Sequence, residues 1–223
     1  MTVQAAIFDL DGTTLNTLPD LAGSLNTALK AKGLPDHTVE EYRPMVGNGM
    51  AKMIERALPE DRRDPETQAG VMALFKAEYA RRQCDLTVPY EGIPELLRDL
   101  KSRSWALGLL SNKDHENTAE IVSHFFPGLF DQVLGVKPGA APKPDPSGAL
   151  ALCRAFGLKP AQVFYVGDSG VDMNTAKGAG CPALGAAWGF RPEEELRQEG
   201  ALAILKKPSD FLPVIGSLPH GPI

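Results

Sequence analysis

Ala5-Ala6-Ile7-Phe8-Asp9-Leu10-Asp11-Gly12-Thr13 is the stretch whose reading decides the fold. A short apolar run, taken as a strand over Val3–Leu10, breaks at Asp9 into a turn-forming sequence. The break leaves two carboxylates, Asp9 and Asp11, at the C-terminal edge of a buried strand.

That strand has no partner nearby. From Leu18 the pattern is helical, with Leu18, Leu21, Leu25 and Leu29 on one face, Pro19 in the tolerant first turn and Gly33 as a stop. Helical spacing recurs over Met50–Leu58 (Met50, Met53, Ile54, Ala57) and Pro65–Arg82 (Val71, Leu74, Phe75, Tyr79). Beyond Pro89 the character changes to short apolar runs alternating with helical stretches, as in parallel βαβ units. The strands are expected at Trp105–Leu110, Gln132–Leu134, Val163–Val166 and Ala183–Ala187. The helices are expected at Pro94–Lys101, Glu116–Phe125, Pro146–Phe156 and Val171–Ala179. The simplest topology is an α/β core of residues 1–15 plus 88–223, with residues 16–87 inserted as a helical block after the first strand.

Composition agrees with a globular chain. The 223 residues are 43% hydrophobic and 23% charged, too apolar for disorder and too interrupted by charge for a bilayer span. A net charge of −5 argues against nucleic acid as a partner. Ten basic and eleven acidic residues between Thr17 and Val88 nearly cancel, so the inserted block carries no strong patch. Cys84, Cys153 and Cys181 form neither a metal clip nor a disulfide framework, which fits a reducing compartment. The first apolar run is too short for a secretory or membrane segment, so a cytoplasmic protein without a membrane partner is expected.

In an open parallel sheet, ligands bind beyond the carboxyl ends of the strands. That rule selects Asp9 and Asp11, then Ser111, Asn112 and Lys113, then Gly167, Asp168 and Ser169, with Lys143 in a Lys-Pro-Asp-Pro segment before a helix. A dense set of carboxylates on one rim needs a cation, and hard oxygen donors suit Mg²⁺. With cation and lysine present the rim attracts phosphate. Asp9 is placed to attack it, Asp11 to handle the leaving-group proton, Ser111 and Asn112 to hydrogen-bond the transferring group, and Lys143 to offset its charge. Asp172, four residues after Asp168, reads as an acid that favours the first turn of a helix through its dipole.

In these residues the sequence resembles the haloacid dehalogenase superfamily. Asp9-Leu10-Asp11-Gly12-Thr13 resembles its first motif, Ser111 the second, Lys143 the third, and Gly167-Asp168-Ser169 with Asp172 the fourth. The resemblance implies a three-layer Rossmann-like core whose parallel sheet is interrupted after strand one by a helical cap domain that closes over substrate. It implies Asp9 as nucleophile and Mg²⁺ ligand, Asp11 as general acid and base binding metal through its carbonyl, Asp168 as a further ligand, and Asp172 in support. Thr13 and Asn112 are implied on the substrate side.

Val46-Gly47-Asn48-Gly49-Met50 and Ser111-Asn112-Lys113 are further similar to phosphoglycolate phosphatases. Gly47 and Gly49 would let backbone amides approach a small anion, with Asn48 adding a polar contact, or the stretch is simply the loop into the Met50 helix. Asn16, where many relatives carry aspartate, and Asp114, where proline is common, depart from the pattern without touching the chemistry. Arg43, Lys52 and Arg56 read either as contacts to a substrate carboxylate or as solvated charges.

The expected activity is a Mg²⁺-dependent phosphomonoesterase acting through an aspartyl-phosphate on a small organic phosphate, 2-phosphoglycolate first. The alternatives are a phosphosugar phosphatase or β-phosphoglucomutase-like mutase, a phosphonate hydrolase, and a phospho-accepting signalling module. The sequence carries no signal for oligomeric state.

Overall fold

Two chain crossings divide the protein into a unit of Met1–Leu15 with Pro89–Ile223 and a unit of Asn16–Val88. The computed structural model describes residues 4–218, so Val3, expected to open the first strand, lies outside the described residues.

In chain order, β1 (Ala5–Phe8) leads to β2 (Leu15–Asn16). The smaller unit then holds α1 (Leu18–Ala31), α2 (Val39–Tyr42), α3 (Met50–Ala57) and α4 (Pro65–Arg82), and the chain leaves it through β3 (Val88–Pro89). The larger unit resumes with α5 (Ile93–Ser102), β4 (Ala106–Asp114), α6 (His115–Phe125), β5 (Gln132–Val136) and α7 (Ser147–Phe156). It closes with β6 (Val163–Gly167), α8 (Gly170–Ala179), β7 (Ala183–Ala186), α9 (Glu193–Gln198), β8 (Ala203–Leu205) and α10 (Phe211–Ser217).

The larger unit is an α/β sandwich built on one six-stranded sheet in the order β5-β4-β1-β6-β7-β8, with every paired neighbour parallel. β1 is central because all four of its side chains are buried and apolar, which only an inner strand covered on both faces tolerates. It pairs Ile7 with Gly108 and Tyr165, and Phe8 with Leu109 and Val166. Alternation then separates the layers. Ile7 and Tyr165 join Leu152, Cys153, Met173 and Ala176 of α7 and α8 in one cluster. Phe8 and Phe164 instead meet Phe211 of α10 at ring-centroid distances of 6.0 and 6.1 Å. Each fully buried side chain of this kind contributes about 1.5–3 kcal/mol.

The strand ends are where expectation and structure part. β4 does not stop at Leu110 but runs on through Ser111, Asn112 and Lys113 to Asp114, with a register shift against β5 between Leu110 and Asp114. Strand pairing there overrides polar composition, since the main chain can pair whatever the side chains are.

In the smaller unit α1 packs on α4. Leu21, Leu25 and Leu29 are buried, as are Val71, Phe75 and Tyr79, whereas Leu74, expected on the same face, is exposed. The Phe75 and Tyr79 rings stack at 5.5 Å. The buried Asp20 carboxylate on α1 accepts from the Leu86 N–H, the Thr87 N–H (2.7 Å) and the Thr87 hydroxyl (2.8 Å), fixing the segment before β3. Among the described residues no helix is long and apolar enough to cross a membrane.

Candidate active site

The C-terminal edge of the sheet gathers the chemistry. β1 delivers Asp9, whose N–H donates to the Val166 carbonyl of β6 at 2.9 Å, so the backbone carrying the carboxylate is stitched to its neighbour. The turn that follows is closed by Thr14 and Leu15 N–H groups donating to the Leu10 carbonyl, and the Thr14 hydroxyl donates to the Asp9 and Leu10 carbonyls. Gly12 sits at φ +86°, and a Cβ there would collide with the Asp168 carboxylate. Only glycine fits this position.

Lys143, 7% exposed, bridges two carboxylates: its Nζ lies 2.6 Å from Asp9 Oδ1 and 2.7 Å from Asp172 Oδ1. Its main chain is held by Asn112, whose side-chain carbonyl accepts from the Lys143 N–H (2.7 Å) and whose amide donates to the Lys143 carbonyl (3.1 Å). Asp172, fully buried, also accepts from the Tyr165 hydroxyl at 3.3 Å and from the Ser169 hydroxyl and N–H at 2.6 and 3.2 Å. Ser169 in turn caps α8 by accepting from the Asp172 N–H. One Asp172 oxygen thus faces Lys143 and Tyr165, and the other faces Ser169 at the start of α8.

Asp168, at the end of β6, has its Oδ1 bonded by the Thr13 hydroxyl at 3.2 Å and its Oδ2 by the Phe190 N–H at 2.7 Å. Thr13 and Asn112, implied on the substrate side, therefore direct these side-chain bonds to Asp168 and to Lys143. Asp11, 17% exposed at its side chain, lies 3.3 Å from Lys113 Nζ. The Ser111 hydroxyl accepts from the Lys113 N–H.

Electrostatics mark the site. Burial, reinforced by the Asp172 charge, pushes Asp9 well above the usual carboxylate range despite Lys143. Burial and Asp172 raise Asp168 to about 7, against the opposing bond from the Phe190 N–H. Burial disfavours the Lys143 ammonium, but Asp172 and Asp9 outweigh it and hold the lysine well above its ordinary value. Asp9, Asp168 and Asp172 present carboxylate oxygens within 4.8 Å of one another. Three buried carboxylates facing one buried ammonium are short of positive charge, and an all-oxygen donor set of this kind fits a divalent cation such as Mg²⁺.

In the smaller unit, Gly47 (φ +110°) and Gly49 (φ +83°) form the entry to α3, with Gly49 at its N-cap. Arg56 donates to the Pro44 and Met45 carbonyls, Lys52 pairs with Glu55, and Arg43 with Glu40. The loop Trp188-Gly189-Phe190, which touches Asp168 and Thr13, escaped the sequence reading; a main-chain donor leaves no mark in a sequence, and only its position just past β7 pointed to it.

Residues 6–186 match the haloacid dehalogenase-like hydrolase family. A phosphoglycolate phosphatase of Haemophilus influenzae is 35% identical over 190 residues, covering 82% of this chain and 85% of that protein. One of Cereibacter sphaeroides is 34% identical over 211 residues, covering 92% and 96%. A Lactobacillus delbrueckii subsp. bulgaricus crystal structure superposes with a TM-score of 0.91 at 30% identity, covering 96% of this chain and 98% of that one. That of a predicted phosphoglycolate phosphatase from Haemophilus somnus gives 0.88 at 30%, with the same coverage. With its four sequence motifs gathered on one sheet edge and its family match spanning most of its length, the chain belongs to the haloacid dehalogenase-like hydrolases.

Proposed function

We propose that this hydrolase is a phosphomonoesterase that passes the phosphoryl group of a small organic phosphate to Asp9, with 2-phosphoglycolate the first candidate substrate. The observation that carries the reading is the Asp9–Lys143–Asp172 bridge at 2.6 and 2.7 Å: a carboxylate at a strand end with a fixed cation against it. The phosphoglycolate phosphatases among its relatives support the substrate.

Asp9 attacks phosphorus as its bond to the ester oxygen breaks. Asp11 gives the leaving oxygen a proton, then accepts one from the water that hydrolyses the aspartyl-phosphate, which releases inorganic phosphate and regenerates Asp9. The Ser111 hydroxyl hydrogen-bonds the phosphoryl oxygens and Lys143 offsets the charge developing on them. Asn112 acts through Lys143, whose backbone it holds. Mg²⁺, when bound by the Asp9 and Asp168 carboxylates and the Asp11 carbonyl, supplies positive charge to the phosphate; Asp172 keeps Lys143 in place. Residues 16–87 are read as the cap, and the Gly47-Asn48-Gly49 turn as the part that meets the organic end of the substrate. The odd number and wide spacing of Cys84, Cys153 and Cys181 support a reducing, cytoplasmic setting.

Phosphate release from a panel of small phosphoesters, with and without chelator, tests the reading. 2-Phosphoglycolate should give the highest kcat/KM, chelator should abolish turnover, and Asp9→Asn should remove it. A sugar phosphate or nucleotide preferred over 2-phosphoglycolate would overturn the substrate, and near-native activity of Asp9→Asn the nucleophile.

A further inference from the structure

The segment after β7 reaches back to the first motif. The Trp188 indole N–H donates to the Thr13 carbonyl at 3.0 Å, and the Phe190 N–H donates to Asp168 Oδ2 at 2.7 Å. Between them Gly189 lies flat against Asp168 and the Gly12 carbonyl, where a Cβ would collide with both. The Thr13 hydroxyl donates to the other oxygen, Asp168 Oδ1, at 3.2 Å. Asp168 is therefore gripped at both oxygens, at one by this segment directly and at the other by a residue whose carbonyl the segment holds.

We propose that Trp188 is a positioning residue: with the Phe190 N–H it fixes the plane in which the Asp168 carboxylate meets a divalent cation. The inference rests on the reading of Asp168 as a cation ligand. Each carboxylate oxygen has two lone-pair directions, and a donor on one of them turns the other to a set direction. An indole suits the task, since its single N–H is rigid in the ring plane and the side chain has only two torsions. Groups that orient metal ligands in this way typically contribute 10–100-fold to affinity.

The test is Mg²⁺ binding by calorimetry, without substrate, on the full-length native protein and on Trp188→Phe. The dissociation constant is expected to rise about tenfold, while KM for the phosphate ester at saturating Mg²⁺ stays within about twofold. An unchanged dissociation constant in a folded variant overturns the proposal. If circular dichroism shows that Trp188→Phe does not fold, 5-fluorotryptophan labelling of the otherwise native protein decides. The chain has two tryptophans, and Trp105, stacked on Phe164 in the core, is assigned by Trp105→Phe. The Trp188 resonance should shift saturably with the calorimetric midpoint, and one that stays still while Mg²⁺ binds overturns the proposal. A native protein that binds no Mg²⁺ overturns both this and the cation reading of Asp168. Loss of the phosphatase reading alone, through an active Asp9→Asn, leaves the binding result standing.

Discussion

Lys143 is the residue on which the site balances. Its ammonium is shared by two buried carboxylates, so removing it strands both. Lys143→Met is expected to lower stability by about 3–5 kcal/mol in chelator, measured by urea unfolding, because an uncompensated buried charge costs more than the ion pair contributes. The raised value of Asp168, about 7, makes a separate prediction about pH. A carboxyl whose folded value lies above its unfolded one, about 3.9, favours folding fully below the unfolded value and loses that contribution as pH rises through the folded value. Asp64, Asp131 and Asp145 are shifted the other way and act only below the ordinary carboxylate range. In chelator, Tm should therefore fall as pH is raised from about 5 to 8, and Mg²⁺ should flatten that fall. Scanning calorimetry across the range checks both; a Tm that climbs with pH in chelator contradicts the burial of an uncompensated Asp168.

At the scale of elements, the turn after β1 and the segment before β3 are the demanding pieces. Gly12→Ala must place a side chain at φ +86° and against Asp168, so about 1–3 kcal/mol should be lost to backbone strain alone, with Mg²⁺ affinity falling alongside, measured by urea unfolding and calorimetry. Asp20→Ala leaves the Leu86 and Thr87 donors without their acceptor and should cost about 2–4 kcal/mol, whereas Asp20→Asn, which keeps a carbonyl oxygen, should recover part of it. The elements carrying the site were legible in the sequence because their apolar runs are unbroken: Ala5–Phe8 and Val163–Val166 admit no other reading. α2 is four residues long, too short to show a period, and α9 buries only Leu196 among its charges, so neither left a pattern to find. The site residues that stood at strand ends were named from that position. What Thr13, Asn112 and Trp188 touch is set by contacts between residues up to 175 positions apart, which no local spacing encodes.

The whole molecule joins two units by two chain crossings, and each has a core of its own: Ile7, Tyr165 and Met173 in one, Leu25, Phe75 and Tyr79 in the other. Calorimetry should accordingly depart from a two-state transition, and Mg²⁺ should raise only the transition of the larger unit, since Asp9, Asp168 and Asp172 all belong to it. A single transition whose calorimetric and van't Hoff enthalpies agree would contradict this.

The central place of β1 sets an order of events on the ribosome. Ala5 pairs with Ala106 on one side and Val163 on the other, so the strand made first is completed only after most of the chain exists. At typical synthesis rates it waits roughly 8–30 seconds for its second partner. The block Asn16–Val88 contains its own contacts and is free to fold during that interval, while the strand that leads into Asp9 remains an unpaired apolar edge. The segment that carries Asp9 is thus also the one that a nascent-chain chaperone has longest to bind.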